Sequence, residues 1–164
     1  MLLKPKTQNL KPVQGFTLIE LLVVMAILSI LFALVLVAVN PVRQTQQANN
    51  LKRRGDINTI VNAVNQYAAD NAGTLPTGIT TSLKIVGTTL SACDGSTCAG
   101  EFPQAACVDL EGAIAPQYVA SIPYDPVTGN SSNTRYGIKK SGTNNRITVK
   151  SCDPDLSATI NVTQ

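Results

Sequence analysis

The feature that most constrains this 164-residue chain is an uncharged apolar run near its start, Leu21 to Val39, in which Ser29 is the only hydroxyl. As a helix rising about 1.5 Å per residue it spans roughly 28 Å, close to the hydrocarbon core of a bilayer. Lys4, Lys6 and Lys11 precede it with no acid among them, whereas Arg43 alone follows closely. That asymmetry predicts a cytoplasmic N-terminus and an extracytoplasmic remainder. A secretory signal would have a shorter apolar core ending at small residues, and no convincing site of that kind follows Ala33 or Ala38. A plain signal anchor fits the length equally well, but leaves Glu20 unexplained.

Glu20 lies inside the apolar stretch that opens at Phe16, with no Lys or Arg within helical reach. An acid there costs about 2.5–3.5 kcal/mol at a helix centre, less near the end, and normally has a partner. Hydrolysis after Gly15 would supply one, because Phe16 would become an N-terminal ammonium about one helical turn from Glu20. That amine would be the same chain's or that of a neighbour in an assembly.

Gly15-Phe16-Thr17-Leu18-Ile19-Glu20, with the apolar tail behind it, resembles the cleavage and methylation signature of type IV prepilins and type II secretion pseudopilins. The resemblance covers about residues 11–40. It implies cleavage after Gly15 by a prepilin peptidase, methylation of the Phe16 amine, and pairing of Glu20 with the amine of an adjacent subunit during assembly. The implied partners are that peptidase, copies of the chain or other pilins in a filament, the inner-membrane assembly platform, and membrane lipid before assembly. Many members carry a proline near the middle of the apolar helix. Here the candidate is Pro41, just past its end, so a bend or an interruption is expected near Asn40-Pro41.

Beyond Pro41 the pattern becomes amphipathic. Leu51, Ile57, Ile60, Val61, Val64, Tyr67 and Ala68 recur at helical spacing, opposite Gln46, Gln47, Asn50, Arg53, Asn58, Asn62, Asn65 and Asp70. This predicts one long helix from Phe16 to about Asn71, with Lys52-Arg53-Arg54 as a solvated basic cluster; contact with acidic headgroups or an acidic partner is the alternative. Short strands are expected at 84–90, 135–140 and 145–151, and a short helix at about 110–115. The fold class is α+β: a long N-terminal helix packed against a small antiparallel sheet. The expected organisation is a leader at 1–15, an assembly helix at 16–40, an amphipathic helix at 41–72 and a β-rich head at 73–164.

Cys93, Cys98, Cys107 and Cys152 all follow the apolar run, on the side where disulfides form. Three pairings are open. The Asp94-Gly95-Ser96-Thr97 insert suits a tight turn, favouring Cys93–Cys98 with Cys107–Cys152; four free thiols is the competing reading. The latter bridge would resemble the C-terminal disulfide loop of many pilins. Ile122-Pro123-Tyr124-Asp125-Pro126, then Gly129 and Tyr136, resembles a stretch of the major pseudopilin, where a later loop can hold calcium. The comparable loop here, Ser141 to Asn145, has no carboxylate, so no calcium site is expected. Asp125, Asp153 and Asp155 remain as candidate calcium ligands, although Asp-Pro pairs more often form turns.

Removing the leader's lysines leaves ten basic and ten acidic side chains, so no nucleic-acid-binding face is implied. With no His, a Ser-His-Asp or Cys-His arrangement is impossible within this chain, and no cofactor motif is evident. Not an enzyme but a filament subunit is the expected role. The alternative is a signal-anchored module whose outer domain binds a ligand.

Overall fold

The computed structural model describes residues 15–89, 93, 97–101 and 107–164. The chain divides into two compact units, one ending at Pro41 and the other running from Val42 to Gln164.

In the first unit, helix α1 (Leu18–Val39) is capped by Thr17. It ends at Asn40, which takes the left-handed conformation (φ 42°, ψ 78°). Helix α2 (Pro41–Asp70) then starts on a proline. The long helix is therefore interrupted at Asn40-Pro41, the second of the two outcomes expected there. A residue before proline is disfavoured in the right-handed helical region, and Asn tolerates the left-handed one. Proline is well suited to a first helical turn, where its missing N–H has no helical partner to lose.

α2 buries Asn50, Arg53, Ile57, Ile60, Val61, Ala63 and Val64. The inward seam thus runs 50, 53, 57, 60, 64 at spacings of three and four, and its first two positions are polar. This corrects two expectations. Arg53, expected on a solvated face, is 1% exposed, and Leu51, expected on the buried face, is 70% exposed. Position 51 lies about 200° around the helix from 53, so one side chain facing inward puts the other outward. Past α2, Ala72 and Gly73 adopt positive φ, and Gly73 N–H donates to the Ala68 carbonyl at 2.7 Å, ending the helix.

The sheet comprises β1 (Lys84–Ile85), β2 (Tyr136–Lys140), β3 (Ile147–Ser151) and β4 (Asn161–Thr163), antiparallel throughout in the order β1-β2-β3-β4. A short helix, α3 (Glu111–Ile114), precedes β2. The architecture is α+β and pilin-like. The first expected strand is shortened because Val86 turns to a parallel bridge with Val108; position 90, its expected end, lies outside the described residues. β4 was not expected from the sequence.

Alternation along the strands divides the packing. Tyr136, Ile138, Ile147 and Val149 join Ile57, Ile60, Val61 and Val64 in the main core. Ile85, paired with Gly137, joins Leu83 and the four cysteines in a second cluster. A Cβ on Gly137 would lie 2.9 Å from Leu83 Cδ1 and 3.1 Å from Cys98 Sγ, so glycine lets this cluster sit directly on β2.

The disulfides join Cys93 to Cys107 and Cys98 to Cys152. The expected Cys93–Cys98 and Cys107–Cys152 pairing is corrected. Residues 94–96 of the expected turn lie outside the described residues; a tight turn stands at 98–101, where Cys98 and Glu101 exchange backbone hydrogen bonds of 2.9 and 3.0 Å. Ala99 N–H donates to the Cys152 carbonyl, bringing Cys98 against Cys152 with Cα atoms 4.0 Å apart.

Candidate functional site

The first helical turn of α1 explains how an acid is tolerated beside the apolar run. Thr17 N–H and Oγ1–H both donate to Glu20 Oε2, at 2.8 and 2.7 Å, and Glu20 N–H donates to Thr17 Oγ1 at 3.3 Å. This is a reciprocal capping box, which satisfies backbone donors that no earlier turn can serve. The helix dipole also favours a carboxylate here. Glu20 Oε1 has no hydrogen-bond partner among the described residues, so one oxygen remains able to accept an ammonium. Thr17 as Glu20's partner was missed in the sequence, although Thr-x-x-Glu before an apolar run is the signal for it.

Phe16 is 91% exposed, one residue ahead of the cap. A Cβ on Gly15 would meet nothing within 4 Å, so the described fold places no steric demand for glycine there. Behind Glu20, every large apolar side chain from Leu18 to Val37 is about half exposed or more. α1 is apolar on all sides and long enough to cross a bilayer. Its one hydroxyl, Ser29, is satisfied internally, donating to the Met25 carbonyl at 2.7 Å.

Residues 10–36 match the family model described as the prokaryotic N-terminal methylation motif. The chain carries a prepilin-type N-terminal signature. No curated protein and no solved structure matches the chain. The prepilin-type segment thus contains Gly15, Phe16, Thr17 and Glu20, and the apolar helix with this motif supports membrane anchoring.

The head's carboxylates have a different use. Arg53 Nε and Nη2 donate to Asp125 Oδ2 and Oδ1 at 2.6 and 3.2 Å. Its Nη1 donates to Asp155 Oδ2 at 2.7 Å and to Asn50 Oδ1 at 3.0 Å. Asn50 in turn clasps the Asp155 backbone through Nδ2–H and Oδ1. Asp153 accepts from Arg135 Nε and Nη2 at 2.6 and 2.7 Å, and from Thr128 Oγ1 at 2.7 Å. The three acids left over as calcium candidates are thus distributed between two arginines, a donor set unsuited to a cation. The loop 141–145, without a carboxylate, lies between β2 and β3. Among the described residues no group of three or more His, Cys, Asp or Glu side chains is placed to hold a metal.

Asp125 also builds its own turn, accepting from Val127 N–H and Thr128 N–H at 2.9 and 3.1 Å. Burial pushes its carboxyl up, but Arg53 and the two backbone donors more than offset this and hold it below its ordinary value. The result bolts α2 to the Asp125-Pro126 turn and to the 3₁₀ turn Asp155–Ser157.

Proposed function

We propose that the chain is the precursor of a structural subunit of a type IV pilus or a type II secretion pseudopilus. A membrane prepilin peptidase hydrolyses the Gly15–Phe16 bond, releasing the 1–15 leader, and the new Phe16 amine is methylated. Residues 16–40 anchor the subunit in the inner membrane, with the leader cytoplasmic and the rest extracytoplasmic. The amphipathic helix at 41–72 and the head at 73–164 then form the outer part of the filament.

The match to the methylation motif over residues 10–36 carries this reading. The geometry at Glu20 supports it: one carboxylate oxygen is held by Thr17 and the other is available. In an assembly, the methylated ammonium of a neighbouring copy fills that position and fixes subunit register, while the assembly platform draws the helix out of lipid. An uncharged membrane helix would supply apolar contact but no such register mark.

Intact mass and N-terminal sequencing, with and without a coexpressed prepilin peptidase, test the processing step. The expected result is peptidase-dependent loss of residues 1–15 and a methyl group on Phe16. An intact chain in the presence of an active peptidase overturns the reading in favour of a signal anchor. Replacing Glu20→Val tests assembly: membrane insertion persists while filament yield falls, and an undiminished yield counts against the role of Glu20.

A further inference from the structure

We infer that the outward face of α2 around Leu51 is a docking surface for a second copy of this chain, which presents the acidic, tyrosine-lined recess at the far end of its own α2. This contact rests on the proposed filament role and specifies how the heads would meet within it.

Two unlike patches carry the inference. Gln47, Leu51 and Arg54 stand at i, i+4 and i+7 of α2, on one face of the helix, and line a shallow recess of about 440 Å³ with Asn50. Leu51 is 70% exposed, although a leucine at this site could have been buried had it stood on the inward seam. Lys52 and Arg54 are exposed and make no salt bridge with any described residue. Arg53 between them is consumed by Asp125 and Asp155, so its two neighbours are the cations offered outward.

The complementary patch sits sixteen residues further along the same helix, roughly 24 Å away at 1.5 Å per residue. An open recess of about 690 Å³ is lined there by Tyr67, Asp70, Asp109, Gln117 and Tyr118, among others, and by no Lys or Arg. The Tyr67 and Tyr118 rings meet edge to face with centroids 6.0 Å apart. Tyr118 Oη–H donates to Asp70 Oδ2 at 3.0 Å, and Asp109 Oδ1 accepts from Glu111 N–H at 2.9 Å. Neither carboxylate is neutralised by a described cation. Aromatic rings beside carboxylates suit a guanidinium or ammonium, which interacts with the ring face and the acid together.

A basic, apolar face and an acidic, aromatic recess on one molecule make a heterologous pair. Where each copy engages two neighbours through these different surfaces and the rotation between copies does not close, repetition gives an open filament. Anionic lipid is the competing occupant of the basic face, since Lys and Arg beside an exposed leucine also suit headgroups. The second copy is favoured because the chain itself provides the complement, of opposite charge and with the Tyr67 and Tyr118 rings to meet Leu51 and the cations.

The test uses the full, peptidase-treated chain with a benzophenone amino acid in place of Leu51. Isotopically light and heavy copies are co-reconstituted in phosphatidylglycerol-containing vesicles, irradiated, and mapped by mass spectrometry. Mixed-mass crosslinks from position 51 to peptides carrying 67–77 or 109–118 are expected. Lys52→Glu with Arg54→Glu should lower their yield about tenfold, and adding Asp70→Lys with Asp109→Lys should restore most of it, since opposite-sign swaps keep complementarity. Crosslinks to lipid, to other peptides or within one copy overturn the contact, as does an absence of crosslinks or of rescue. Unreduced alkylation of each variant, with no added mass, checks that the disulfide-bonded head has folded. Loss of residues 1–15 is scored on the same samples. Uncleaved chain overturns the prepilin reading itself, whereas cleaved chain with misplaced crosslinks overturns only this contact.

Discussion

Arg53 and Asp125 are 72 residues apart in sequence, yet their side chains meet at 2.6 Å with 2% and 0% of their surface exposed. Such a pair gives no automatic gain in stability, because desolvating both charges offsets much of their attraction. Removing one member is another matter, since it strands the other. Arg53→Met should therefore destabilise the head by about 3–5 kcal/mol. Arg53→Lys should cost less, because it keeps the charge while losing the two-pronged fork that serves Asp125 and Asp155 together. Urea unfolding of the full chain in detergent, followed by circular dichroism, measures both. A loss within about 0.5 kcal/mol for Arg53→Met, the range of ordinary surface changes, would show that the network contributes little.

The two disulfides should differ in their contribution. Cys98–Cys152 closes a span of 54 residues and Cys93–Cys107 one of 14. The chain-entropy relation gives about 4 kcal/mol for the former and about 3 for the latter. Replacing Cys98 and Cys152 together by Ser should thus lower stability more than replacing Cys93 and Cys107. Digestion without reductant should release peptides linked in these pairings, and peptides joining Cys93 to Cys98 would contradict the fold around 98–101.

Close packing makes a sharper demand at Gly129 than at the prepilin-type segment. A Cβ there would lie 2.5 Å from Asp125 N and 2.7 Å from Thr134 O, both backbone atoms with little room to yield. Gly129→Ala should cost about 1–3 kcal/mol, the usual range for overpacking, and disturb the Asp125 turn. Gly15→Val, where nothing stands within 4 Å, should leave the unfolding midpoint unchanged. On the proposed processing role it should nevertheless block removal of the leader. Normal cleavage of this variant, seen by intact mass, would detach Gly15 from processing.

What the sequence made legible follows from how local each cause is. α1 was readable because a charge-free run of that length has few destinations in water. β2 and β3 were readable because Tyr136 to Lys140 and Ile147 to Ser151 are β-rich and bounded by turn residues. The start of α2's inward seam was misread because Asn50 and Arg53 look like solvent positions on composition alone. Their partners, Asp125 and Asp155, lie far along the chain, so no local pattern marks them. The spacing 50, 53, 57, 60, 64 was available all the same, and continuity of spacing was a better guide than polarity. β4 has three residues and exists through its pairing with β3, a tertiary cause. The cysteine pairing likewise depended on a tertiary cause, the turn at 98–101 that sets Cys98 against Cys152, which no local composition marks.

Acid should expose these networks in a particular order of sign. Arg135, with Thr128, holds the Asp153 carboxyl below its ordinary value despite partial burial, and Lys150 and Lys139 do the same for Glu101. Asp125 is lowered too, its burial outweighed by Arg53 and two backbone donors. A carboxyl lowered in the folded state binds fewer protons there than in the unfolded chain. Its contribution is therefore complete above the unfolded value, about 4, and is lost as pH falls through the lower folded value. With no His in the chain, nothing of that type titrates between about pH 5 and 8. Thermal midpoints should be level from about pH 5.5 to 7.5 and fall progressively below about pH 4. In Arg53→Met the buried Asp125 loses its main support, so its carboxyl should rise and take up a proton at milder pH. That raised group reverses the sign, adding stability as pH falls through its new value. The gap between the native chain and Arg53→Met should consequently narrow on acidification. Melting both across a pH series measures it, and parallel curves down to about pH 3 would mean that Arg53 does not hold Asp125 as a carboxylate.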